Sequence, residues 1–335
     1  MKVILTNLPS FYKINLYNEI NKEESVFVIY TNDGRNLRNA DFFAGVSQFR
    51  SIQLPMNRYV RYFTLIKILL TTHYQELIIG GWDSGLMWIG ALISSKKKNS
   101  AVVESSDYES KTTGLKKLLK KIFLSRISKI YASGIAQKRL VEKIGFKRQI
   151  IITRGVGIFN YIPQPSYTAR EKVQNFLYVG RLSPEKNLSL LISVFRDLPD
   201  KTLLIIGFGP QESGLRKVAP PNVMFLGAID NKQLYQYYQN ADVFVLPSLS
   251  EPWGLVVEEA LNNGLPVIVS DRVGCAEEIV VEGKNGLIFQ SGNRQSLMEC
   301  IDSISNIHLY NHMRKEISLL DFETIEKQQV LCYLS

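Results

Sequence analysis

Three short stretches carry side chains whose types and spacing could hold a phosphorylated ligand. The first, VGRLSPEKN at 179–187, sets Arg181 and Lys186 at a strand-to-helix junction. Pro184 and Glu185 suit the first turn of a helix, with Ser183 as its N-cap. Two cations beside a helix N-terminus make a site for a diphosphate; the alternative is two solvated cations on a loop. The second, IIGFGPQ at 205–211, ends a strand in Gly-Phe-Gly-Pro. Gly207 and Gly209 either let a ligand approach the backbone or simply make a tight turn. The third, SLSEPWGLVVEEALNNGLPVIVSD at 248–271, sets Glu251, Glu258 and Glu259 among Trp253, Leu255, Val256, Val257 and Leu261. Glu251 precedes a proline, which pushes it out of the helical region and onto the loop ahead of the helix. On a continuous helix Glu258 would share its face; with Glu251 off the helix, Glu259 is as free to do so. The amides of Trp253, Gly254 and Leu255 would then point at the same ligand from a helix N-terminus. One side of this helix packs in the core, while its start and its acids face a polyhydroxylated anionic ligand. Acids on the wet side of an amphipathic helix would explain one of Glu258 and Glu259 but not the cluster.

Such residues need strands to hold them. Short β-branched or aliphatic runs recur at 2–8, 25–30, 76–81, 101–105, 129–133 and 150–153, and again at 176–180, 202–207, 223–227, 243–247, 266–270 and 286–289. Continuous rather than alternating apolar runs read as strands buried on both faces, and their alternation with helical patterns predicts parallel sheets in α/β layers. The polar, proline-bearing stretch NYIPQPSYTAREKVQ at 160–174 reads as a linker. The expected fold class is therefore α/β, with two doubly wound, Rossmann-like domains facing a cleft. They would span residues 1–163 and 164–335, the last helix packing back on the first domain. A ligand is expected at the carboxyl ends of the strands.

Taken together, VGRLSPEKN, IIGFGP, ADVFVLPSLSEPWGLVVEEALNNGLPVIVSD and VEGKNGLIF resemble the C-terminal domain of retaining glycosyltransferases of the GT-B fold, family 4, the group 1 glycosyl transferases. The likeness covers about residues 174–320. It implies that Arg181 and Lys186 bind the diphosphate of a UDP- or GDP-sugar donor. It implies that Glu251 and the amides after it, through Trp253, Gly254 and Leu255, hold the donor sugar, and that Glu259 hydrogen-bonds the ribose. Gly207 to Pro210 and the region of Ile229 would flank the base. The N-terminal half resembles the family only loosely: NLPSFYK stands where many members have a Gly-Gly loop, and AVVESSDY ends at Glu104 where many have a histidine. Glu104 is accordingly a candidate for that role, against a strand-end acid capping the next turn through Ser105 and Asp107. The resemblance implies sugar transfer to a hydroxyl with retention, by front-face attack and without metal. The acceptor would be a saccharide or a lipid-linked saccharide of surface polysaccharide or glycolipid synthesis. A sugar-nucleotide epimerase or a phosphorylase on the same fold is the enzymatic alternative.

Composition narrows the rest. The chain has 335 residues, 45% of them hydrophobic and 21% charged, enough for two domains with real cores. Cys275, Cys300 and Cys332 show no metal-ligand spacing, and His73, His308 and His312 offer none, so no metal site is expected. The N-terminal run is too short for a signal peptide and no stretch reaches the length of a spanning helix, which predicts a cytoplasmic protein, free or peripheral on the inner face of the membrane. A net charge of +9 points to an anionic partner. A basic nucleic-acid-binding protein is the non-enzyme alternative, but the basic residues do not interleave with a nucleic-acid reading motif, so nucleic acid is not the expected partner. Two stretches, KTTGLKKLLKKIFLSRISK at 111–129 and NRYVRYFTLIKILL at 57–70, place Lys116, Lys117, Lys120, Lys121, Arg58, Arg61 and Lys67 among apolar residues at helical spacing. They fit an anionic membrane surface, the alternative being core-packing helices with a lysine-rich wet face.

Overall fold

The computed structural model describes residues 1–32, 40–110 and 112–335. Lys111, the first residue of one basic stretch, lies outside them. The chain forms two compact units: Met1–Phe159 with Glu323–Ser335, and Asn160–Phe322. The division falls after Phe159, ahead of the expected boundary at 163.

The first unit runs β1 (Lys2–Thr6), α1 (Phe11–Glu23), β2 (Val26–Tyr30), β3 (Arg50–Gln53), α2 (Arg58–Thr71), β4 (Glu76–Ile79), α3 (Gly85–Ile93), β5 (Asn99–Val103), α4 (Gly114–Ser125), β6 (Lys129–Ala132), α5 (Ile135–Ile144) and β7 (Gln149–Ile152). The strands pair in parallel in the order β3-β2-β1-β4-β5-β6-β7. Every residue of β1, β2 and β4 is buried, as a sheet covered on both faces requires. Right-handed crossovers send the chain to opposite faces when the strand order reverses. One core accordingly joins the sheet to Leu65 of α2, Leu86 of α3, Phe123 of α4 and Leu140 of α5. The other joins it to Ile14 and Ile20 of α1. β3 is the strand that the apolar pattern misses: it is RSIQ, an edge strand with no buried residue.

The second unit runs β8 (Asn175–Val179), α6 (Leu188–Phe195), β9 (Thr202–Ile206), α7 (Glu212–Val218), β10 (Val223–Gly227), α8 (Leu234–Asn240), β11 (Val243–Leu246), α9 (Leu255–Asn262), β12 (Val267–Ser270), α10 (Ala276–Ile279), β13 (Gly286–Phe289), α11 (Arg294–Ile304) and α12 (Ile307–Ile317). Its parallel sheet has the order β10-β9-β8-β11-β12-β13. The order therefore reverses between β8 and β11, the position at which doubly wound sheets bind ligands. Residues 160–174 hold no helix or strand. They are nevertheless tied down: Gln164 Nε2 donates to Ile317 O at 2.9 Å, Asn262 Nδ2 to Ile162 O at 2.9 Å, and the Arg170 amide to Asn311 Oδ1 at 2.9 Å.

α13 (Phe322–Leu334) follows α12, but its body belongs to the first unit. Val330 and Tyr333 enter the α1-side core, and Tyr333 stacks on Tyr131 of β6 with ring centroids 4.5 Å apart.

Candidate functional site

The strand order of the second unit decides which loops are neighbours. β10, β9, β8 and β11 lie side by side, so the segments leaving their carboxyl ends line one edge of the sheet. Those segments carry Ile229, then Gly207 and Gly209, then Arg181 and Lys186, then Glu251 to Leu255.

After β8 the chain makes a 3-10 turn at Pro184–Lys186 before α6 begins at Leu188. The helix expected to open at Pro184 thus starts later, because Asn187 adopts a left-handed conformation (φ 54°) between the two. Ser183 does not cap the turn through its side chain; its Oγ donates to Glu185 Oε1 at 2.6 Å. Arg181 is exposed and donates to the same oxygen at 3.2 Å. Burial pushes the Glu185 carboxyl up, but the Ser183 hydroxyl and the nearby Arg181 and Lys186 cations outweigh it and hold it below the usual range. Lys186 lies inward and pairs with Glu251 Oε2, both side chains being about seven-eighths buried.

Glu251 sits in an isolated parallel bridge to Val273, ahead of α9, as the proline after it requires. Ser248 Oγ donates to Glu251 Oε2 at 3.4 Å. Gly254 is the N-cap of α9, with φ 103°. Among the described residues, no partner accepts from the amides of Gly254, Leu255 or Val256, the first N–H groups of that helix. Unpaired N–H groups at the start of a helix are the ones an anion takes. The Trp253 side chain is buried and its Nε1 has no partner; the expectation for this residue concerns its backbone amide.

The two acids of α9 are not equivalent. Glu258 is buried. Glu259 accepts from the hydroxyl of the fully buried Tyr238 at 3.0 Å. Burial pushes the Glu259 carboxyl up to about 7, against the opposing pull of that hydrogen bond.

The glycines have a structural cause. A Cβ on Gly207 would lie 1.9 Å from Gly180 O, and one on Gly209 would lie 2.5 Å from Leu182 O. The Leu182 amide donates to Phe208 O at 2.9 Å and the Gln211 amide to Leu182 O at 2.9 Å. The segment after β9 is therefore clasped directly onto the segment that carries Arg181. Gly274 repeats the device, since a Cβ there would lie 1.9 Å from Pro252 O. Ser248, Tyr238 and Gly274 carried no recognisable signal in the sequence, because their importance comes from what the fold sets beside them.

Glu104 belongs to the first unit and does not cap the following turn. Its carboxylate pairs with Lys13 of α1 at 2.8 Å, and the Ser106 amide is met by Glu109 instead. Burial opposes the charge on Lys13, yet Glu104 more than offsets it and holds the ammonium above its usual range. Among the described residues no group of three His, Cys, Asp or Glu side chains could hold a metal ion, and no helix is long and apolar enough to cross a membrane.

The chain is similar to known proteins in sequence and fold. Residues 164–318 match the family described as Glycosyl transferases group 1. The O-antigen biosynthesis glycosyltransferase WbnH of Escherichia coli is 30% identical over 285 residues, which cover 82% of this chain and 80% of that protein. The sulfoquinovosyl transferase SQD2 of Arabidopsis thaliana is 37% identical over 145 residues, 42% of this chain and 28% of the plant protein. The crystal structure of Anabaena HepE in complex with UDP has the same fold, with a TM-score of 0.71 at 16% identity and 98% of each chain covered. The two parallel-sheet α/β units are thus those of the GT-B fold, and the chain belongs to the group 1 glycosyltransferases.

Proposed function

We propose that the protein moves a sugar from a UDP- or GDP-sugar to a hydroxyl of a saccharide or lipid-linked saccharide, with retention at the anomeric carbon. The observation that carries the reading is the convergence of Lys186, Glu251 and the start of α9 at the edge where the strand order reverses. Lys186, Arg181 and the α9 amides supply fixed positive charge for the departing diphosphate, the largest electrostatic demand of the reaction, without calling on a metal. Phosphate oxygens would take Lys186 from Glu251, leaving that carboxylate to accept hydrogen bonds from the donor sugar. Glu259 would accept from the ribose in place of Tyr238. The C1–O bond to the diphosphate breaks as the acceptor oxygen bonds to C1 on the same face, and the acceptor proton passes to the leaving phosphate oxygen. The UDP complex of HepE and the O-antigen role of WbnH support a nucleotide donor and a surface-saccharide product.

The test is a screen of UDP- and GDP-sugars for thermal stabilisation, then turnover with each hit and proton NMR of the product anomer. Lys186→Ala and Arg181→Ala should each cut kcat by roughly 10²-fold with folding intact. Wild-type kcat in both variants removes the diphosphate assignment, and an inverted product removes retention.

A further inference from the structure

On a helix that covers a core, the apolar stripe faces inward and the lysines face water. α4 does the reverse. Leu115, Leu118, Leu119 and Ile122 form one stripe at i, i+3, i+4 and i+7 spacing, and they are 71%, 53%, 45% and 46% exposed. Among the residues of this helix only Phe123 and Leu124, in its last turn, are buried. Phe123 anchors it by packing edge-on against Trp88 of α3 at 5.3 Å. The alternative of a core-packing helix with a wet lysine face is therefore set aside for this stretch: its leucines are exposed.

The helix carries charges of one sign, although Asp83 and Glu109 lie near enough to act on Lys120. Lys116, Lys117 and Lys121 flank the stripe and form no ion pair among the described residues, whereas Lys120 donates to Ser110 Oγ at 2.7 Å and lies over Trp82. α2 and α3, which cover the same sheet face, add exposed Tyr59, Phe63 and Leu92. None of the three helices contains an acidic residue.

We infer that this face docks onto an anionic lipid bilayer, with the α4 stripe inserted among the acyl chains and the lysines at the headgroups. An interfacial helix needs this combination: apolar residues on the outside and cations beside them. Nucleic acid would use the lysines but leave the leucine stripe in water. The inference concerns the first unit and does not rest on the donor reading.

The experiment measures sedimentation of the full chain with vesicles of phosphatidylcholine, with and without phosphatidylglycerol, alongside melting temperature and oligomeric state. Each free surface lysine near such a bilayer contributes roughly five-fold to partition, so Lys116→Gln, Lys117→Gln and Lys121→Gln together should weaken binding by about 100-fold. Leu115→Gln with Leu119→Gln should also abolish binding while leaving the melting temperature at or above wild type, because these leucines leave no core. Binding to phosphatidylglycerol vesicles unaffected by the leucine pair overturns insertion. A melting temperature that falls with the leucine pair overturns the outward stripe. Concentration-dependent dimers that the leucine pair abolishes, with no vesicle binding by the wild type, assign the face to a second copy instead. Nucleotide-sugar binding, measured on the same variants, should not change.

Discussion

Gly207→Ala tests whether the glycine motif serves the loops or a ligand. At Gly207 φ is 134°, a conformation that alanine adopts only under strain of about 1–3 kcal/mol. The new Cβ would also lie 1.9 Å from Gly180 O, so the two loops must separate by roughly 1.4 Å to reach an ordinary carbon–oxygen contact. Such overpacking costs about 1–3 kcal/mol. Three backbone bonds hold the junction: Gly180 to Ile206 O at 3.0 Å, Gly207 to Gly227 O at 2.7 Å and Leu182 to Phe208 O at 2.9 Å. Losing one adds about 1 kcal/mol. The sum, about 3–7 kcal/mol, should lower the melting temperature of the second unit by on the order of 10–20 °C. Differential scanning calorimetry reads this, with Gly214→Ala as control. Gly214 lies within α7 and a Cβ there meets nothing within 4 Å, so that change should be neutral or slightly stabilising. A Gly207→Ala protein that melts like wild type but no longer binds nucleotide would refute the clasp and return the glycine to the ligand.

Two further outcomes are expected. Glu259 has a folded pKa raised to about 7 from 4.5, so its contribution to stability is full below the lower value and is lost as pH rises through the upper one. Glu259→Gln should therefore flatten the fall in melting temperature between about pH 5 and about pH 8; an unchanged slope sinks the assignment. Glu104→Gln and Lys13→Met should each destabilise, and the double variant should recover about 1 kcal/mol of the summed loss, the low end of coupled pairs because Glu104 is 32% exposed. Strictly additive losses would show that the pair is not coupled, and a fall in kcat at unchanged melting temperature would move Glu104 from structure to chemistry.

The sequence was most legible where burial dictated composition. The twelve apolar runs became twelve of the thirteen strands: most are covered on both faces and so aliphatic throughout, while the edge strands β7 and β10 keep apolar runs although only partly buried. β3 escaped because an edge strand needs no such run, and RSIQ reads as loop. Around the site, the proline after Glu251 was enough to lift that residue off the helix. The 3-10 turn at Pro184 was not legible: asparagine tolerates the left-handed conformation better than most residues, but that tolerance alone does not fix Asn187 there. Nor was the orientation of α4: periodicity gives the spacing of a stripe but not which side the core lies on, and that depended on Trp88 of a different helix. Lys13 was missed for the same reason, as its partner Glu104 is far along the chain.

The placement of α13 has a consequence for how the chain is made. The first unit takes its sheet from the beginning of the sequence, but the ring that covers Tyr131 is Tyr333. During synthesis the second unit, Asn160–Phe322, has all its residues available while the first still lacks part of its core. The earlier sequence must therefore wait, with its α1-side surface incompletely covered, until the later unit has been built and passed. A deletion or fusion at the C-terminus would accordingly register as a defect of the N-terminal unit, and Val330 and Tyr333 are the positions at which it would do so.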